Sequence, residues 1–176
     1  MSGFDLVIHV GEITQLVKNI RARIGDPSPL MADTLLLFER STALNFQAQG
    51  RPDKWDDLAP STERRRFAKA MRGRGGVIGS LGVLGSIEIL RDNGLLLQSV
   101  TGTLSGPFEV ADGFGISDKY TAELGTNRPG ADALQVGNPA NNLVARPYML
   151  IQPQDEEDIA GMTADFLLGV GPYSLA

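Results

Sequence analysis

The sequence predicts an α+β fold: a small antiparallel sheet packed against two or three helices, with long Gly/Pro-rich loops. Three observations carry this. Segments with apolar residues at helical spacing lie near both ends of the chain. Short β-branched runs and an Asp-Gly pair lie between them. The 21 Gly and 10 Pro among 176 residues punctuate the rest.

Leu6-Val7-Ile8-His9-Val10 reads as a short strand broken by Gly11. Ile13, Leu16, Val17, Ile20 and Ile24 follow helical spacing, so 12–24 is an amphipathic helix, stopped by Gly25 and Pro27. Ser28 and Pro29 then open a helix running to about Gln49, with a capping hydroxyl followed by proline at the first helical position. Its apolar face is Leu30, Leu37, Phe38, Thr42 and Phe46, and Gly50-Arg51-Pro52 ends it. Residues 53–60 form an ordered loop carrying Trp55, and Ser61-Thr62-Glu63 starts a basic helix from Arg64 to Arg72.

Glycines 73, 75, 76, 79, 82 and 85 make 73–86 an irregular stretch. Asp92-Asn93 is a plausible cap for a helix over 94–100. Strands over 103–111 and 113–117 meet at Asp112-Gly113, a hairpin signal. Lys119 to Leu124 reads as a helical turn closed by Gly125, and 126–144 as a long loop without a period. Ala145 to Ile151 reads as a strand. Asp155 to Leu168 reads as a helix with Ile159, Met162, Phe166 and Leu167 inward and its acids at the favourable end of the dipole. Residues 1–176 suit a single domain.

A net charge of −5 does not suggest a general nucleic-acid binder. With no Cys there is no disulfide, thiol nucleophile or cysteine metal site. The start Met-Ser-Gly-Phe-Asp lacks the features of an export leader, and no apolar run is long enough to span a membrane. Neither a nucleophile elbow nor a phosphate-binding glycine loop is present, so no catalytic residue, cofactor site or metal site is expected. His9 is either a structural or surface histidine or the general base of a small hydrolase. Asp155-Glu156-Glu157-Asp158 point in different directions from a helix and chelate poorly; they form a solvated helix start or a contact with a neighbouring subunit. Arg64, Arg65, Arg66, Lys69, Arg72 and Arg74 form either a solvated face or a contact with DNA or an acidic partner. Trp55 is either a surface anchor or packs its loop onto the helix pair. Arg146 precedes Pro147, which forces extended backbone there, and its fork can clamp a carboxylate or carbonyls.

The strand and helix pair ending in Phe46, Trp55-Asp56-Asp57-Leu58-Ala59-Pro60-Ser61-Thr62 before a basic helix, Ile89 to Leu95, Tyr120 to Gly125 and Ala145-Arg146-Pro147-Tyr148 occur in an order that resembles the phage virion morphogenesis, or tail completion, proteins. The resemblance runs from about residue 5 to 168. Where that family commonly has a histidine between the tyrosine and the glycine, this chain has Ala122, Glu123 and Leu124. The Gly-rich stretch at 73–85 is also longer than expected. The resemblance implies a non-enzymatic structural protein of the virion neck, assembled in the bacterial cytoplasm. It implies a homo-oligomeric ring of six copies that completes the tail and joins it to the head. Implied partners are head-completion or connector proteins, the tail tube, the sheath where there is one, and DNA passing through the lumen without sequence-specific contact. Expected interaction residues are Trp55, Arg64, Arg65, Arg66, Arg72, Tyr120, Arg146, Pro147, Tyr148, Asp155 and Glu156. The alternative reading is a nucleic-acid-binding accessory protein using the basic helix at 64–74.

Overall fold

The computed structural model describes residues 10–72, 88–90, 94–102, 108–110 and 112–173. The strand expected around Leu6 to His9, the 73–86 stretch, the cap at Asp92-Asn93 and most of the first hairpin strand lie outside the described residues. Val10 itself begins a helix.

The fold is α+β. α1 (Val10–Gly25), α2 (Ser28–Ala48), α3 (Pro60–Arg72) and α4 (Leu95–Thr101) precede the sheet, and α5 (Ala131–Val136) and α6 (Pro153–Leu168) follow it. The sheet is antiparallel, in the order β1 (Phe108–Val110), β2 (Gly113–Ser117), β3 (Ala122–Thr126). α2 is the spine: α4, α6, β2 and β3 all pack on it. Among the described residues no helix is long and apolar enough to cross a membrane.

α2 starts where Ser28-Pro29 placed it, but Ser28 is not the cap. Its hydroxyl and amide donate to Asp26 Oδ1, at 2.6 and 3.3 Å. The helix ends in a left-handed Gln49, whose amide bonds back to Phe46. Its inward face differs from the expected one. Leu30, Leu35 and Phe46 are buried with Thr34, Glu39, Ser41, Thr42 and Asn45, while Leu37 and Phe38 are only half-buried. Five of these eight buried residues are therefore polar, and some of their groups hold segments distant in sequence.

β1 and β2 do form a hairpin, with Val110 opposite Gly113, so the connection is 111–112 rather than Asp112-Gly113. Gly113 belongs to the strand because α4 passes over it: a Cβ there would collide with the Ser99 carbonyl. The helical turn expected over 119–124 is instead β3, with Leu124 opposite Gly115 and Gly125 opposite Phe114. Asp118 makes the tight turn, accepting the Tyr120 and Thr121 amides at 2.8 Å. That local closure returns the chain antiparallel, and Gly125 leaves room for the Phe114 ring.

The stretch 126–144 is not structureless. It contains α5, flanked by the positive-φ glycines 130 and 137, then a 3-10 turn at Pro139–Asn141 and an Asn138–Leu143 bridge. Residues 145–151 form no helix and join no sheet, with a bend at Met149. α6 begins at Pro153, with Gln152 and Asp155 capping each other reciprocally. The main core gathers Phe46, Trp55, Ile89, Leu90, Leu96, Val100, Ala131 and Tyr148.

Candidate functional site

The candidate site is built around the segment Arg146-Pro147-Tyr148-Met149. Because it joins no ladder, its backbone groups need other partners, and α5, α2 and the Trp55 loop supply them. Gln135 of α5 accepts the Tyr148 and Met149 amides at 3.0 and 3.1 Å and returns its own amide to the Met149 carbonyl at 2.8 Å. Asn45 of α2 donates to the Tyr148 carbonyl at 2.9 Å. The Trp55 indole donates to the Pro147 carbonyl at 3.0 Å. The Arg146 amide donates to the Leu134 carbonyl at 2.7 Å.

The Arg146 side chain returns towards the Trp55 loop. Its guanidinium is buried and reaches the Asp56 carbonyl at 3.2 and 3.1 Å and the Asp57 carbonyl at 3.0 Å. A planar fork suits two neighbouring carbonyls in a way that an ammonium does not. Phe46 joins the two segments from below, with ring centroids 5.7 Å from both Trp55 and Tyr148. The Tyr148 hydroxyl donates to the Ala131 carbonyl at 3.2 Å. Burial, reinforced by the nearby Asp132, pushes its pKa up to about 12, so it remains a donor at neutral pH.

A second polar knot adjoins the first. Arg51 donates to Asn45 Oδ1 and to the carbonyl and hydroxyl of Ser41, each at 2.8 Å. Ser41 donates to Asp155 at 2.5 Å, Asp155 accepts the Gln152 amide at 2.8 Å, and Gln152 donates to the Arg51 carbonyl at 3.1 Å. The loop closes on itself, joining α2, the chain after it and the first turn of α6. Such mutually satisfied groups hold a fold rigid. Among the described residues no group of three or more acids or histidines could hold a metal ion.

The expected interaction residues therefore divide in two. Trp55, Arg146, Tyr148 and Asp155 are buried and Pro147 is half-buried, and their hydrogen bonds within the protomer are those given above. Trp55 packs on α2 as expected, though its indole partner comes from Pro147, far along the sequence. Arg64, Arg65, Tyr120 and Glu156 face outwards. Arg66 is half-buried and donates to the Glu88 carbonyl at 3.0 Å. Arg72 ends α3, and its side chain, with His9 and Arg74, lies outside the described residues. Sequence reasoning missed Ser41, Asn45, Arg51, Gln135 and Gln152. For Ser41 and Asn45 a signal existed: they are polar residues four apart on a helix otherwise read as apolar.

One buried acid stands apart. Glu39 of α2 is fully buried, and neither carboxylate oxygen has a hydrogen-bond partner. Desolvation lifts its pKa to about 7, against a small opposing effect of Arg40.

No protein-family model, curated protein or solved structure matches the chain.

Proposed function

We propose that this protein is a structural subunit of a tailed phage: a tail completion protein that caps the tail tube and joins it to the head as a homo-oligomeric ring of six copies. One observation carries the reading. The two segments that bear the strongest family resemblance, Trp55 to Thr62 and Ala145 to Tyr148, lock to each other through Arg146 and Trp55. A shared architecture would need these residues together for that reason, and their role would be to build the protomer. Contacts with neighbours then fall to outward groups such as Arg64, Arg65, Tyr120 and Glu156. The net charge of −5 suits a wall past which DNA moves without sticking. Cryo-EM of a virion carrying this protein should show a six-fold ring at the head-proximal end of the tail. A single copy in the neck, or a position elsewhere, overturns the reading.

A second reading has its own support. α3 exposes Arg64 and Arg65, with Phe67 beside them 47% exposed, as a basic nucleic-acid-binding helix would. It requires DNA affinity that falls steeply with salt and is lost in Arg64→Glu/Arg65→Glu. Salt-independent or absent binding removes it.

A further inference from the structure

Among the described residues the sheet ends on β3, which pairs with β2 along one edge only. The register identifies the backbone groups on its other edge. The Asn127 amide donates to the Asp112 carbonyl at 2.8 Å, and the Asp118 amide donates to the Thr121 carbonyl at 2.9 Å. Both pairs continue the register in which Gly113 faces Thr126 and Ser117 faces Ala122. Bonded and non-bonded pairs alternate along an antiparallel ladder. Phe114 with Gly125 and Ile116 with Glu123 are therefore the bonded pairs, and the N–H and C=O groups of Ala122 and Leu124 point away from β2. Among the described residues no hydrogen bond of the protomer takes up these outward groups. β3 carries no proline and no bulge, the usual guards of an open edge.

A groove of about 460 Å³ lies against this edge. Ala122 and Leu124 line it from the inner face of the strand, and Phe114 and Glu123 from the outer face. A hollow that touches both faces of one strand runs along its edge. The far wall is α2 and residues 149–151, where Leu150 and Ile151 are 42% and 52% exposed. Glu123 is the one ionisable residue in the lining. It is exposed, and among the described residues no ion pair neutralises it.

An occupant must supply backbone donors and acceptors along the edge, apolar groups facing inwards at every second position, and positive charge near Glu123. An extended peptide has this chemistry. We propose that β3 and this groove form a strand-addition site for an extended segment of another protein, with apolar residues at alternate positions and basic residues between them. The five residues of β3 give an edge of about 17 Å, enough for a short strand. Strand addition here does not require a ring.

The probe is a fluorescein-labelled heptapeptide of alternating valine and lysine, titrated into the full chain and followed by anisotropy. With its valines opposite Ala122 and Leu124, the valine amides bond to β3 and the lysines flank Glu123. The same peptide N-methylated at each valine keeps its charge and apolar groups but cannot donate to the edge. It should bind about ten-fold more weakly or worse. Equal binding of the two peptides would mean attraction to the net charge of −5 alone and would overturn the inference. So would equal or tighter binding of a valine–glutamate counterpart, or no binding of the valine–lysine peptide. Leu124→Pro removes an outward donor but no bond of the β2–β3 ladder, a place where an edge strand tolerates proline. It should bind the unmethylated peptide about ten-fold more weakly, while Leu124→Ala keeps the preference for that peptide over its methylated form. Loss of the preference in Leu124→Ala, or its full retention in Leu124→Pro, counts against the edge. The comparison of peptides uses the unmodified chain, so it stands even if Leu124→Pro fails to fold. Self-association of the unmodified chain that the valine–lysine peptide displaces would make a second copy the occupant and overturn the choice of partner.

Discussion

Replacing Arg146 by alanine tests whether the two motif segments hold the fold together. The side chain is 6% exposed and makes three hydrogen bonds to two carbonyls. Hydrogen bonds from a charged donor each contribute about 1.5–3 kcal/mol. Asp56 and Asp57 are exposed residues, so water can take over part of the lost bonding and the lower end applies. The apolar stem of the arginine adds packing that alanine lacks. Together these give a loss of about 4.5–5 kcal/mol for Arg146→Ala, which lowers the melting temperature by about 9–20 °C in a chain of this size. Arg146→Lys reaches one carbonyl at a time and should recover about half of the loss. Urea unfolding followed by the fluorescence of Trp55, the single tryptophan, reports on the affected contact directly. Arg146→Ala within about 0.5 kcal/mol of the parent, the range of an ordinary surface change, would refute the argument.

Glu39 should make stability fall as pH rises. Its folded pKa lies near 7, above the ordinary 4.5, so between these values the folded chain holds a proton that the unfolded chain has released. Glu39→Gln should flatten that slope and stabilise the protein at pH 8 by about 1–3 kcal/mol, with little effect at pH 4.5, as urea titrations at the two pH values will show. Gly113→Ala drives a methyl into the Ser99 carbonyl and should cost about 1–3 kcal/mol, read as a lower urea midpoint at unchanged slope. Ser41→Ala leaves Asp155 with one fewer donor and should destabilise by about 1–3 kcal/mol. In a double-mutant cycle with Arg51→Ala the two losses should not add, because the pair shares one network.

α1, α2 and α6 were legible because helical spacing and their Gly and Pro boundaries are local signals; α2 begins and α6 ends where those residues placed them. β3 was misread because Ala122-Glu123-Leu124 are strong helix formers, and pairing with β2 overrides that local preference. Residues 145–151 were read as a strand, yet their partners are side chains from α2, α5 and the Trp55 loop. No local pattern encodes such long-range satisfaction. In the candidate site, Arg146 was readable as a clamp from the proline that follows it. Its acceptors were not, since Asp56 and Asp57 use backbone carbonyls that carry no sequence signature.

The polar face of α2 has a consequence for synthesis. Asn45 waits for Tyr148, Ser41 for Asp155 and Asp33 for Tyr173, separations of 103, 114 and 140 residues. At ~5–20 residues per second, a ribosome needs roughly 6–25 s to make the chain between Ala48 and Tyr173. During that interval the nascent helix lacks the partners that the later chain supplies, with only Arg51 in place for Ser41 and Asn45, and it is exposed to chaperones. A prematurely terminated product ending before Arg146 lacks both knots and should be degraded as unfolded chain. In an assembly that uses one kind of subunit repeatedly, this acts as proofreading: defective copies never reach the shape that would let them occupy a position and block it.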